Sequence, residues 1–163
     1  MRWKAMLVVE KMRDKLASRA QRLVNETCIY KEGGLSLAQV HHLVVAVNQI
    51  WSLQGMEQYI REATGRSRPK DLTHAQQGKG EAWKKACPTR QGNGWQFFGE
   101  RLLEEAAEIF ADARSEARSG GAEEAQQRAA AMACLREFVG YLAWYFTACK
   151  NCFSLPAAQT KRE

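Results

Sequence analysis

Thirteen lysines and arginines form two groups whose types and spacing suit contact with a polyanion. The first group, the basic stripe, falls on one side of a helix over residues 2–27; its members are Lys4, Lys11, Lys15, Arg19 and Arg22. The second group, the basic loop cluster, lies between residues 61 and 90; its members are Arg61, Arg66, Arg68, Lys70, Lys79, Lys84, Lys85 and Arg90. Phosphates bind such ammonium and guanidinium groups without any base being read.

The excess positive charge is concentrated in the middle of the chain. The net charge is +6 over 163 residues, and residues 61–90 alone carry +5, whereas residues 91–163 carry −2. A localised basic region is the expected footprint of a nucleic-acid partner, so both groups are taken as candidate nucleic-acid-binding residues. The alternative is a solvated basic surface that only favours solubility. Trp83 and Trp95 lie near the loops, where each can stack on a base or pack in the core.

The residues that could support metal or thiol chemistry fall short of a complete site. Cys149 and Cys152 form a C-x-x-C motif, but a structural zinc site needs two further ligands, which distant cysteines or histidines would have to supply. A redox C-x-x-C of the thioredoxin type needs a βαβ pattern, which is absent. We therefore assign no catalytic residue, no metal ligand and no cofactor. A zinc- or thiol-dependent enzyme is the third interpretation of the chain.

A regular acidic pattern is also present, because Glu100, Glu104 and Glu108 recur every four residues and so share one helix face. Di-iron bundles use such carboxylates, but they also need a Glu-x-x-His motif on partner helices, which this sequence lacks. The three carboxylates are therefore expected to form an exposed acidic face near a helix N-terminus.

Helical periodicity and capping signals place these charges on long helices. Residues 2–27 have one apolar side, and the basic stripe lies on the opposite side. Ser36 and Gln39 form a capping box, which predicts a helix start at this point. The helix is predicted to continue to residue 65, with Gly55 as a point where it is weakened or kinked.

Three further helices are predicted in the rest of the chain, over residues 71–86, 95–118 and 122–149. Gly78 and Gly80 disfavour the first of them. In the last one, residues 138–149 contain no charged side chain, so this helix must be buried on most sides. Arg136 and Glu137, which precede that stretch, are expected to form a surface ion pair.

These helices indicate an all-α protein, a single-domain helical bundle of about five helices around a buried C-terminal helix. The bundle domain is predicted over residues 1–155, with a basic, loop-rich segment at 65–94 and a flexible tail at 156–163. The apolar stretches are too short or too interrupted to span a membrane. The odd number of five cysteines and the lack of a secretory signal favour a reducing cytoplasm.

Three stretches of the sequence resemble, in order, a known family. Residues 35–43 (LSLAQVHHL) contain a capped helix start rich in Ser and Gln, and residues 59–66 (YIREATGR) end a helix with Gly-Arg. Residues 138–146 (FVGYLAWYF) look like a closing aromatic helix. The pattern is similar to the small helical subunit of type III CRISPR effector complexes of the Csm class. The resemblance implies a non-catalytic bundle that stacks in several copies along guide RNA and target strand, with Arg66 as a strand contact.

The function that the charges indicate is binding of a nucleic-acid backbone by a non-catalytic subunit of a ribonucleoprotein. The expected partners are RNA or single-stranded DNA and the other subunits of a complex, including further copies of this chain, but no membrane. The competing interpretation is a helical interaction or assembly module whose basic surface meets an acidic protein partner.

Overall fold

The computed structural model describes residues 2–65 and 82–154 of the chain. Its helices are α1 (Arg2–Thr27), α2 (Leu37–Gln49), α3 (Leu53–Gly65), α4 (Phe98–Ser119) and α5 (Glu124–Ser154). A 3-10 turn (Ala82–Lys84) and a hairpin of β1 (Ala86–Pro88) and β2 (Trp95–Phe97) lie between α3 and α4. The prediction of an all-α bundle is confirmed, since these two short strands form the only sheet in the described ranges.

The hydrophobic core forms around α5, which packs against α1, α2 and α4. Phe138, Leu142 and Phe146 are buried together because their spacing of four residues keeps them on one face of α5. Leu16 and Leu23 of α1 belong to the same buried cluster. The predicted burial of the C-terminal helix is therefore confirmed for its inner side, whereas its outer side is exposed.

The start of α2 is the capping box that the sequence predicts. The Ser36 side chain accepts a hydrogen bond from the Gln39 backbone N–H, and the Gln39 side chain accepts one from the Ser36 N–H. The prediction of one helix from there to residue 65 is wrong, because Ile50 adopts an extended conformation and ends α2. The Ser52 side chain then accepts a hydrogen bond from the Gly55 N–H, which satisfies a donor at the new N-terminus of α3.

The hairpin shows that two helix boundaries predicted from the sequence are wrong. Residues 71–81 of one predicted helix lie outside the described residues, and its remainder forms the 3-10 turn and β1 instead. The strands pair antiparallel, with Cys87 opposite Gln96, and Gly92 in the connecting turn has a φ of +73° that glycine adopts without strain. Because residues 95–97 belong to β2, α4 begins at Phe98 and not at residue 95.

Two further predictions concern the ends and the loops of the chain. The predicted flexible tail at 156–163 and residues 66–81 of the basic, loop-rich segment lie outside the described residues. In the part of the chain that is described, none of the helices combines the length and the apolar character that crossing a membrane requires.

Candidate nucleic-acid interface

The basic stripe of α1 faces an acidic row on α4, and together they form an ion-pair ladder. The acidic row occupies one face of α4 with spacings of three or four residues; its members are Glu105, Glu108, Asp112 and Glu116. Ascending positions on α1 pair with descending positions on α4, so the two helices run antiparallel. The nitrogen–oxygen distances are 2.8 Å for Lys11–Glu116, 2.7 Å for Lys15–Asp112, 2.8 Å for Arg19–Glu105, 2.9 Å for Arg19–Glu108 and 3.7 Å for Arg22–Glu105.

Arg19 and Glu105 form the least accessible step of the ladder. The Arg19 side chain is 13% exposed, and the Glu105 side chain is fully buried. A buried carboxylate needs positive charge close by, because an unpaired charge is costly to desolvate. Nitrogen atoms of Arg22 and Arg90 lie 3.7 and 3.6 Å from Glu105 Oε1 and add to that charge. The structure therefore places this part of the stripe at a helix–helix contact.

Arg90, a member of the basic loop cluster, joins the ladder from the hairpin. It donates a hydrogen bond to Glu108, which also accepts one from Arg19. These hydrogen bonds, from Arg90 and then Arg19, lower the pKa of Glu108 to about 2. The exposed acidic face predicted for Glu100, Glu104 and Glu108 is confirmed, but Glu108 also holds the hairpin and α1 against α4.

The other predicted site residues are scattered over the structure. Lys4 lines a small pocket of about 110 Å³ beside Lys11 and Glu116. Arg61 is exposed on α3 near two acidic side chains of the same helix. Lys84 is half-buried in the 3-10 turn. The remaining members of the basic loop cluster lie outside the described residues; they are Arg66, Arg68, Lys70 and Lys79.

A second cationic region lies at the turn between α1 and α2. Lys85 Nζ donates hydrogen bonds to the backbone carbonyl oxygens of Cys28 at 2.9 Å and of Glu32 at 3.4 Å. Lys150 Nζ, from the last turns of α5, donates to the carbonyl oxygen of Leu35 at 3.4 Å. Two segments that are distant in sequence thus bring ammonium groups to one turn.

Lys31 lies on this turn, and we name Lys31, Lys85 and Lys150 the lysine cluster. Burial lowers the pKa of Lys85 and the neighbouring Cys28 raises it in part, while the positive charges of Lys31 and Lys150 lower it further. Lys31 and Lys150 thus lie near enough to Lys85 for their charges to act on it. Lys31 Nζ lies 6.0 Å from the ring centre of Tyr30, and Lys150 Nζ lies 5.7 Å from that of Phe146.

Sequence reasoning identified only Lys85 of the lysine cluster. Lys31 and Lys150 each stand apart from other cations in the sequence, so neither belongs to a charge run. They approach Lys85 because α1 and α5 run parallel and end near each other, as the hydrogen bond from the Tyr145 hydroxyl to Asn25 Oδ1 at 3.2 Å shows. No local signal predicts this arrangement, which depends on the packing of the bundle.

The two tryptophans considered for base stacking have different environments. Trp83 is buried and packs near Phe98, with ring centroids 6.1 Å apart. Of the two alternatives for this residue, packing in the core is therefore the correct one. Trp95 on β2 is 74% exposed, which leaves its indole accessible to a stacking partner. A base could therefore stack at the hairpin on Trp95 and not on Trp83.

The five cysteines are all free thiols, and Cys87 and Cys134 are buried. Burial raises the pKa of Cys134 to about 12 and also raises the pKa of Cys87, so neither thiol ionises readily. Over residues 2–65 and 82–154, no group of three His, Cys, Asp or Glu side chains is arranged to hold a metal ion.

Comparisons with known proteins add no relative: no protein-family model, no curated protein and no solved structure matches this chain. The resemblance to the small subunit of type III CRISPR complexes therefore stays a prediction from three stretches of sequence.

Proposed function

We propose that this protein is a non-catalytic helical subunit that binds the backbone of a nucleic acid within a ribonucleoprotein. The observation that carries the proposal is the lysine cluster, in which Lys31, Lys85 and Lys150 gather at one turn. Ammonium groups at such a point attract phosphate oxygens without reading the bases. A phosphate bound there would also relieve the repulsion among the three lysines.

The ion-pair ladder has a different role in this proposal. Lys11 and Lys15 remain more than half exposed, but carboxylates of α4 lie 2.8 and 2.7 Å from their ammonium groups. A phosphate that bound these lysines would have to compete with those carboxylates. The ladder therefore fixes α1 against α4, and the lysine cluster is the main contact with the nucleic acid.

The resemblance to type III CRISPR small subunits suggests guide RNA and its target strand as the ligands and the other subunits of the complex as partners. The free state of all five cysteines fits a reducing cytoplasm, where such complexes would act. Trp95, which is exposed on the hairpin, supplies an aromatic surface on which an unpaired base can stack.

Binding to single-stranded RNA at several salt concentrations tests the proposal. Three lysine–phosphate contacts release about three counterions. A plot of the logarithm of affinity against the logarithm of salt concentration should therefore have a slope of about −2 on a single strand. Affinity should depend little on base sequence, because phosphates carry none. A folded sample that binds neither RNA nor single-stranded DNA at about 50 mM salt would refute the proposal.

A further inference from the structure

The outer face of α5 is exposed although it carries the features of a buried surface. Residues 138–149 include no charged side chain, and a helix stretch that is uncharged on all sides is normally buried on most of them. Gly140 and Ala148 are nevertheless exposed, and Trp144 between them is 72% exposed. An aromatic side chain of this kind can bury roughly 150–250 Å² in a contact. The face is therefore suited to being covered.

Two grooves flank the Trp144 side chain on this face. The larger one, of about 640 Å³, lies between α1 and α5; its α5 residues include Gly140, Tyr141 and Tyr145. The smaller one, of about 410 Å³, lies between α2 and α5. The same surface thus offers a projecting indole and, beside it, apolar concavities that can receive one.

Charges of both signs border the larger groove. The sequence predicts an ion pair between Arg136 and Glu137, but Arg136 Nη2 donates to the Ile50 carbonyl oxygen at 2.9 Å, and its guanidinium lies 5.3 Å from the Trp51 ring centre. Burial raises the pKa of Tyr141, and the nearby Glu137 carboxylate raises it further.

Arg136 and Glu137 both line this groove, so its border carries one positive and one negative side chain. A polyanion gains no net attraction from such a balanced border. A surface with the same mixture of charges is complementary to it, because each positive group can face a negative one.

We propose that a second copy of this chain docks on the outer face of α5 and forms a closed, two-fold symmetric dimer. Two-fold symmetry brings the same patch of both copies together, so Trp144 of each copy enters the groove of the other. The groove is open at Gly140, where an added Cβ would meet no atom within 4 Å. The charged residues at the border then pair between the copies.

This dimer does not depend on nucleic-acid binding, because it uses none of the lysine-cluster residues. It also differs from a head-to-tail stack along a strand, since a two-fold contact closes after two copies. The partner is thus an identical face. It is uncharged and aromatic, and it carries charges of both signs at its border.

Sedimentation and light scattering of the full chain, freed of nucleic acid, test the proposal. The expected mass is twice that of one chain. Trp144→Ala should weaken dimerisation by at least about tenfold, because the variant removes the projecting side chain from both copies. Trp95→Ala removes an equally exposed tryptophan from the hairpin and should leave the dimer unchanged.

Gly140→Gln provides a second variant that preserves folding, because glutamine favours helix more than glycine does. Its side chain fills the groove and should weaken dimerisation while the helical circular dichroism signal is kept. A single-chain mass at every concentration, an assembly that keeps growing beyond two copies, or a dimer that tolerates both Trp144→Ala and Gly140→Gln would overturn the proposal.

Discussion

The ion-pair ladder and the lysine cluster both concentrate positive charge, but they differ in what surrounds it. In the ladder, cations of α1 lie between 2.7 and 3.7 Å from carboxylate oxygens of α4. In the lysine cluster, Lys85 Nζ contacts backbone carbonyl oxygens, and the charges of Lys31 and Lys150 repel it. Carboxylates therefore largely cancel the positive charge of the ladder at close range, whereas the contacts of Lys85 in the lysine cluster are with uncharged carbonyl oxygens.

A stripe of cations on a helix does not by itself mark a binding surface. A regular stripe is also what a second, acidic helix needs in order to dock in one register. Carbonyl oxygens carry only partial charge, so Lys85, which contacts two of them, keeps most of its attraction for an anion. The structural and the binding roles of positive charge can therefore be separated by experiment.

Reversal of charge at Arg19 is expected to have the largest effect, and the effect is on stability. Arg19→Glu removes the closest partner of the buried Glu105 and adds a negative charge beside Glu108 and Asp112. The free energy of unfolding should fall by about 3 kcal/mol or more, as measured by urea denaturation.

The control for this variant is Arg128→Glu, which makes the same charge change at an exposed position on α5. Its free energy of unfolding should stay within about 0.5 kcal/mol of that of the unchanged chain. Similar losses in Arg19→Glu and Arg128→Glu would mean that the ladder contributes no more than an ordinary surface charge.

Replacement of Lys85 should have a smaller effect on stability and a clear effect on binding. Lys85→Met keeps the apolar stem but loses the hydrogen bonds to the Cys28 and Glu32 carbonyl oxygens, so stability should fall by about 1 kcal/mol. RNA affinity should fall as well. Lys85→Arg keeps the charge and should bind RNA better than Lys85→Met; equal affinities would exclude a role for this charge in binding.

Acid is expected to weaken the ladder slightly and to leave the lysine cluster charged. The pKa of Glu108 falls from 4.5 in the unfolded chain to about 2 in the folded one, so its stabilisation is complete above pH 4.5 and is lost as the pH falls to about 2. Glu108 is 45% exposed, and solvent screening limits the effect to less than about 1 kcal/mol.

Urea denaturation at about pH 6 and about pH 3 measures this acid sensitivity. Glu108→Gln should flatten the dependence, because glutamine does not titrate. An identical pH dependence in Glu108→Gln and the unchanged chain would show that Glu108 is not stabilised by Arg90 and Arg19.

Much of the fold follows from local patterns in the sequence. The apolar spacing over residues 2–27 predicts α1, and Ser36 with Gln39 predicts the start of α2. The end of α2 at Ile50 and the hairpin before Phe98 were not predicted. The hairpin depends on pairing between two segments, since a strand is stable only when its partner pairs with it. At the end of α2, the Ile50 carbonyl oxygen accepts a hydrogen bond from Arg136 of α5, a contact between segments distant in sequence.

The two charged regions differ in how far the sequence could predict them. The acids Glu105, Glu108, Asp112 and Glu116 repeat, in reverse order, the spacing of the cations of α1, so comparison of the two helices would have indicated the ladder. No comparable spacing of charged residues in the sequence indicates the lysine cluster. Lys31 and Lys150 become neighbours of Lys85 only through the packing of α1 beside α5.

One matched pair of double variants separates the lysine cluster from the ladder as the contact with nucleic acid. Lys31→Gln with Lys150→Gln removes two positive charges from the lysine cluster, and Lys11→Gln with Lys15→Gln removes two from the ladder. The account predicts that the cluster variant binds single-stranded RNA at least about tenfold more weakly, with a salt dependence reduced by about one to two contacts. The ladder variant should keep most of its affinity. Equal losses, or a larger loss in the ladder variant, would contradict the assignment of the lysine cluster as the main nucleic-acid contact.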